Sequence, residues 1–416
     1  MITRQTAQAS KLTIKTIMAK DLKDCTIAIV GPIETDTYLE ILNLPKDHGY
    51  PKGLGGSPVN LLALELHRRG YNILLCTEDP TVEDELTLQA ERLKIRFVHC
   101  RKRPARTFFR EESRRMTKVL LEEKPDFIHA HWTYEFALAA IATDIPYLVT
   151  AHDAPLNVLQ LNFIPFRIAR TVMAYAAVWK SKNLSAVAPY VAAHLKKYLF
   201  YKRPITIIPN GMPDRMFNRS KIDKPADTPI TFCSILVGWS GRKNSEAAIQ
   251  AFSIVKKQLP DSRFIIFGDG HGKGEEAERW SKSLGIAEGI EFAGQTPYLD
   301  LTARLANEVD ILVHPALEEA QPMSLIEAMS ISIPVIAGKD SGGVPWTLDN
   351  GAAGKLVDVT KPQEIADAML ELALNKQKRQ QLGQTGYEYA KKKFHIAVVT
   401  DAYLETYRTI LTQSPS

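Results

Sequence analysis

Cysteine is scarce in this sequence: four residues in 416, Cys25, Cys76, Cys100 and Cys233, with no CxxC and no zinc-ligand spacing. A disulfide framework and a metal site are therefore not expected, and a reducing compartment suits these thiols. Long apolar runs are also missing. Nowhere do 18 uncharged apolar residues stand together, and the first 24 residues carry Lys and Arg without the apolar stretch of a signal peptide. The expected location is cytoplasmic. No fixed-period repeat or low-complexity tract is present, which argues against a solenoid or a disordered chain. Charge of one sign is weak: 52 Lys and Arg against 47 Asp and Glu leave a formal +5. That balance fits an anionic small ligand or a membrane surface as easily as nucleic acid. Asp-x-Asp, the pair through which a metal commonly holds a diphosphate, does not occur.

What is present is length and alternation. A chain of 416 residues exceeds what one core organises, so two domains are expected. A buried strand at 26–30 ends at Gly31-Pro32, the loop GLGGS at 53–57 opens a helical pattern that stops at Gly70, and an apolar strand NILLCT follows. The alternation continues through FIHAHW at 127–132, a helix around 134–142, PYLVTAHD at 146–153, SAVAP at 185–189 and ITIIPNG at 205–211. After the polar, proline-containing 220–229 it restarts with TFCSILVG, RFIIFGDG, IEFAG, DILVHPA and PVIAG, with helices near 245–257, 274–284 and 323–331. Parallel strands with crossover helices explain this order. The expected division is an extension at 1–24, a Rossmann-like domain at 25–219, a linker at 220–229, a second Rossmann-like domain at 230–390, and a last helix within 391–416. Ligands of such sheets bind outside the carboxyl ends of the strands, so two facing domains share one cleft.

Within EEAQPMSLIEAMS at 318–330, Glu319 and Glu327 stand in E-x7-E spacing. A carboxylate accepts two hydroxyl hydrogen bonds in a fork, which suits the diols of a sugar or a ribose. The bland alternative is a loop glutamate and a solvated helical one. Met323 and Ser324 fall at a helix start whose free N–H groups suit a phosphate; for Ser324 plain N-terminal capping is the alternative.

This segment, with DILVHPA before it and IPVIAGKDSGGVPWTL and GAAGKLVDV after it, resembles the retaining glycosyltransferases of family 4, which have the GT-B fold. Two Rossmann-like doubly wound domains facing each other across a cleft are what the resemblance implies. It further implies that Glu319 binds donor-sugar hydroxyls and Glu327 the ribose diol. VGWSGRKNSEAAIQAF resembles the family's phosphate-binding strand-to-helix segment, with Gly238 in place and Lys243 matching its Lys. Trp239 stands where the Arg is expected, leaving Arg242 to reach the same phosphates. VTAHDAP resembles the strand-end His-Asp motif and makes His152 the residue facing the donor sugar, with Asp153 either orienting it or capping a turn. GLGGS resembles the Gly-Gly loop near the diphosphate, through Gly55 and Gly56, with a simple strand-helix turn as the alternative. Trp346 follows GGVP where many members carry Glu. In related proteins the last helix crosses back onto the first domain.

The implied activity is retaining transfer from a UDP- or GDP-sugar to a saccharide, lipid-linked or small-molecule acceptor, without metal, cofactor or nucleic-acid partner. A nucleotide-sugar epimerase and a non-catalytic module of the same fold are the alternatives. His129 and His131, two apart on a strand, share a face and read as packing or cleft lining; Trp132 and Tyr134 read as acceptor stacking or core packing. The basic segment 101–118 and the apolar, basic segment 161–183 are candidates for peripheral contact at an inner membrane face; a solvated charge run and an ordinary buried helix are the alternatives.

Overall fold

Thr26–Val30 (β1) is apolar after its first residue, and four of its five side chains are buried, as expected of a parallel strand covered on both faces. In this computed structural model, residues 21–47, 49–219, 221, 224–225 and 228–413 are described. The expected extension thus lies outside the described residues except for Asp21–Asp24, as do five residues of the expected linker.

The first sheet continues with Asn72–Asp79 (β2), Glu85–Ala90 (β3), Leu93–His99 (β4), Phe127–His131 (β5), Tyr147–Ala151 (β6), Leu184–Ala186 (β7) and Ile205–Ile207 (β8). Its order is β3-β4-β2-β1-β5-β6-β7-β8, parallel except for β3, which pairs antiparallel with β4. The intervening helices include Ser57–Arg68 (α1), Arg110–Glu123 (α2), Glu135–Ile141 (α3), Pro155–Leu161 (α4), Pro165–Lys180 (α5) and Pro189–Tyr198 (α6). The β3–β4 hairpin was not foreseen: its residues alternate polar with apolar side chains, and β3 forms the edge of the sheet.

The second sheet is parallel throughout, in the order β11-β10-β9-β12-β13-β14: Thr231–Ile235 (β9), Arg263–Phe267 (β10), Ile290–Gly294 (β11), Ile311–His314 (β12), Val335–Gly338 (β13) and Lys355–Val357 (β14). Helices Ser245–Gln258 (α7), Glu276–Ser283 (α8), Tyr298–Glu308 (α9), Met323–Ser330 (α10), Pro362–Leu374 (α11) and Lys376–Phe394 (α12) accompany it. The chain is α/β, with two Rossmann-like domains.

Helix α12 stops at His395, whose backbone is extended. The chain crosses between domains there beside Met212, exchanging Met212 N–H to Phe394 O (2.7 Å) and Ile396 N–H to Met212 O (2.9 Å). The next helix, Ile396–Gln413 (α13), lies on the first domain. Val399, Tyr403, Tyr407 and Ile410 form one stripe at helical spacing, buried with the apolar face of β1 and β5. Tyr407 donates to or accepts from His129 Nδ1 at 2.7 Å, and Arg69 pairs with Asp401 at 2.5 Å.

Candidate active site

In each sheet the strand order reverses next to the first strand of its series: β1 lies between β2 and β5, and β9 between β10 and β12. The loops after these strands diverge, leaving a crevice at the sheet's carboxyl edge. Of the residues singled out from sequence, Gly55 and Gly56 follow β1, Gly238, Arg242 and Lys243 follow β9, and Glu319 follows β12; His152 follows β6, and Met323, Ser324 and Glu327 lie on α10.

After β9 the chain turns through Gly238, whose φ of +79° is left-handed and around which a side chain would meet open space. Trp239 turns aside to pack on His271 and Trp280. Asn244, also left-handed, ends the loop and donates its amide to Pro315 O and Val359 O at 3.0 and 2.8 Å. Leu317 N–H bonds to Arg242 O (2.8 Å), fastening this loop to the one after β12. Arg242 and Lys243 are thereby presented to Glu318 and Glu319.

Lys243 Nζ lies 2.5 Å from Glu319 Oε1, with Arg242 Nη1 at 3.5 Å and His314 Nε2 at 3.9 Å from the same oxygen. Burial pushes the Glu319 carboxyl upward, but Lys243, His314 and Arg242 outweigh it and hold the group below the ordinary glutamate range. Glu318 is different. Burial and the Glu319 charge raise it to about 7, against the opposing charge of Arg242. Nothing in the sequence singled out Glu318 beyond its place beside Glu319.

Glu327, on α10, is buried, and that burial raises it to about 7 against a hydrogen bond from Tyr298. Met323 and Ser324 are the first two residues of α10, so their N–H groups have no partner within the helix. The capping alternative for Ser324 is corrected: Pro322 occupies the cap position, and the Ser324 hydroxyl lies 3.5 Å from His314 Nδ1. Gly343 N–H bonds to Glu319 O at 2.8 Å. A Cβ on Gly343 would stand 1.8 Å from Ala320 O, so the glycine permits the approach that fixes the Glu319 loop. Trp346 packs on Phe394 beneath the Lys393 ammonium (4.4 Å), within the second domain's core.

The opposite wall comes from the first domain. Gly55 and Gly56 have φ of +81° and +85°; a Cβ on Gly56 would strike Pro32 O at 2.3 Å, while Gly55 faces open space. Buried Asn60, which sequence reasoning missed, donates to both glycine carbonyls and accepts from Glu34 N–H and the Tyr38 hydroxyl. His152 Nε2 is 2.9 Å from His131 Nδ1, and its ring stacks on Trp132 at 4.3 Å. Burial lowers His152 to about 3, and burial with the neighbouring histidines keeps His131 well below its ordinary value, so both rings are neutral near pH 7. Asp153 neither orients His152 nor caps a turn through it: it accepts the Tyr134 hydroxyl at 2.7 Å. His129 bonds Thr150 and Tyr407, and no group of three metal-ligating side chains occurs among the described residues.

Two contacts bring the walls together. Tyr190 donates to Glu318 Oε1 at 3.3 Å, and Asn210 N–H donates to Gln321 Oε1 at 2.6 Å. Ala320 is buried in the core of the first domain. The E-x7-E loop is therefore held against the first domain rather than free in the cleft.

Residues 59–215 match the family described as Glycosyltransferase Family 4, and residues 216–389 match Glycosyl transferases group 1, contiguous spans that together cover 59–389. The chain belongs to the group 1 glycosyltransferases. A lipopolysaccharide core biosynthesis glycosyltransferase, LpsE of Rhizobium meliloti, is 26% identical over 210 residues, 50% of this chain and 58% of its own. A D-inositol 3-phosphate glycosyltransferase of Segniliparus rotundus is 25% identical over 299 residues, 68% of this chain and 66% of its own. The matches thus span less than two thirds of these relatives' length. The fold of the chain is that of sucrose-phosphate synthase from Thermosynechococcus elongatus (TM-score 0.73, 18% identity, 94% of this chain and all of the other). It is also that of Anabaena HepE in complex with UDP and glucose (TM-score 0.67, 16% identity, 92% of this chain and all of the other).

Proposed function

We propose that the protein transfers a glycosyl group from a UDP- or GDP-sugar to a hydroxyl of a saccharide, lipid-linked or small-molecule acceptor, retaining the anomeric configuration and using no metal. The observation that carries this reading is Glu319, a carboxylate 14% exposed and held ionised by Lys243 and Arg242 at the mouth of the second sheet.

Breaking the glycosidic bond leaves negative charge on the departing diphosphate. Lys243, Arg242 and the free N–H groups at Met323 and Ser324 offer the positive field that such a leaving group needs, in a site with little water to screen it. Gly238 and Gly55 leave open space for close approach of phosphate to backbone. Glu319 accepts hydroxyls of the donor sugar, and Glu327 those of the ribose. The acceptor oxygen attacks the anomeric carbon from the face the diphosphate leaves; its proton passes to the departing phosphate oxygen as the new carbon–oxygen bond forms. His152, neutral and fixed by His131 and Trp132, contacts the sugar and takes no proton. The solved complex of HepE with UDP and glucose supports a nucleotide donor for this fold.

The deciding experiment is a screen of UDP- and GDP-sugars by thermal shift and nucleotide release, with Glu319→Ala as control and the product anomer read by NMR. Stabilisation by one donor, lost in the control, supports the reading. No response to any donor favours a non-catalytic module, and donor conversion without acceptor favours an epimerase. Activity lost on chelation and regained with a divalent ion overturns metal independence.

A further inference from the structure

From Ala154 to Pro213 the chain contains no acidic residue, although 47 are distributed over the whole, while eight Lys and Arg fall in those 60 positions. The same stretch holds Leu161, Phe163, Ile164, Phe166, Ile168, Val172, Trp179, Tyr198 and Phe200, half of the large apolar side chains exposed anywhere among the described residues. The two facts coincide on one surface.

Helix α5 is apolar on both sides. Ala169, Met173, Ala174, Ala177 and Val178 face the first-domain core. Ile168, Val172 and Trp179 face outward, with Val172 51% and Trp179 66% exposed, and half-buried Tyr175 lies in the same stripe at helical spacing. Phe163, 75% exposed, stands at the helix's entry. A helix apolar all round is ordinarily buried all round, so the outer stripe of α5 lacks its cover. The alternative reading of 161–183 as an ordinary buried helix thus holds only for its inner face.

Arg170 joins this helix to the basic segment at 101–118. Its guanidinium pairs with buried Glu135 at 2.9 Å and lies over the rings of Phe109, Tyr134 and Phe166. That segment divides in two. Arg101, Arg114, Arg115 and Lys118 are paired with Glu or Asp. Lys102, Arg103, Arg106 and Arg110 are exposed, and among the described residues they make no ion pair; Phe108, in the same run of sequence, is also exposed. At the other end of α5, Lys180 and Lys182 are likewise exposed and unpaired among the described residues.

We propose that this face, the outer stripe of α5 with Phe163 and Phe108, docks on an anionic lipid bilayer. Aromatic and aliphatic side chains rimmed by free Lys and Arg, with no carboxylate between Ala154 and Pro213 to repel the headgroups, match the chemistry of an interfacial contact. A second copy of the same face would set these cations against each other. No described helix is long and apolar enough to cross a membrane, so the contact is peripheral. The docking does not depend on the reading of the active site. Its consequence does: α4 begins at Pro155, two residues after Asp153 on the cleft wall, so with transferase activity at that cleft the acceptor is a hydroxyl presented at the membrane.

The test is flotation of the full chain with vesicles of phosphatidylcholine alone and with 30% phosphatidylglycerol added (about that fraction suffices for a negative surface), at low and high salt. Expected are binding to the anionic vesicles, weaker binding with salt, and a loss of roughly fivefold for each charge removed in Lys180→Gln/Lys182→Gln. Phe163→Ser/Val172→Gln, at exposed positions, also weakens binding without changing thermal stability or nucleotide-sugar binding. No binding to anionic vesicles, equal binding to neutral ones, or a dimer in solution that those substitutions dissociate would each overturn the proposal. Donor binding in the unlipidated assay reports separately on the transferase reading.

Discussion

Lys243 Nζ sits 2.5 Å from Glu319 Oε1, so the cation proposed for a donor phosphate and the carboxylate proposed for its sugar neutralise each other. Lys243 is the main charge that holds the Glu319 carboxyl ionised against its burial. Removing Lys243 leaves Glu319 with only the more distant Arg242, at 3.5 Å, to compensate it, so some stability is lost along with function.

Lys243→Met should lower kcat/KM by about 100- to 1,000-fold, the scale for losing one group that stabilises developing negative charge. Glu319→Gln should cost turnover while leaving a cation free for phosphate. Its affinity for free nucleoside diphosphate should therefore hold or rise, whereas affinity for the nucleotide sugar falls. Calorimetric titration of both ligands tests the split; parallel losses would count against separate sugar and phosphate roles.

Glu327 gives a pH dependence of known sign. Its folded value is raised to about 7 from an ordinary 4.5 by burial, so the native state holds a proton that the unfolded chain releases first. That contribution is full below about pH 4.5 and is lost as pH rises to about 7, a span worth at most about 3 kcal/mol. Glu327→Gln should flatten this fall in chemical-denaturation curves between pH 5 and 7. Glu318, raised to about 7 as well, leaves a residual slope.

His152 is lowered to about 3 by burial, so its imidazole does not titrate near neutrality. The pH–rate profile from 5 to 8 should show no inflection that vanishes in His152→Asn, although that variant should lose turnover. An inflection near 6.5 abolished by the substitution would assign His152 a proton-transfer role instead.

Gly343→Ala places a methyl group 1.8 Å from Ala320 O in a backbone that any residue could adopt, so the fault is steric alone. The loop must move, breaking the Gly343 N–H bond to Glu319 O. A stability loss of about 1–3 kcal/mol is expected, with a larger proportional loss of donor affinity, read by denaturant melts and thermal shift with donor.

Strands were legible because parallel strands read as unbroken apolar runs: TIAIV, RFIIF and PVIAG each announce themselves. The β3–β4 hairpin was not, since its polar and apolar residues alternate as a loop's can. Glu319, Glu327, Lys243 and His152 could be named from motif and spacing. The partners could not: Tyr298 lies 29 residues before Glu327 and belongs to another helix, and Asn60, which holds the Gly55-Gly56 loop, is an unremarked residue of an amphipathic helix.

By itself the sequence determined two α/β domains, the family, and the short segments that hold the candidate chemistry, because those depend on local periodicity and on motifs a few residues long. Tertiary structure alone decided which charges meet. It set Glu319 against Lys243 across 76 positions, His129 against Tyr407 across 278, and the apolar stripe of α5 beside the free cations after Cys100. Burial, and with it every raised or lowered proton affinity in the cleft, is a property of the assembled chain: desolvation arises only when distant segments close around a group.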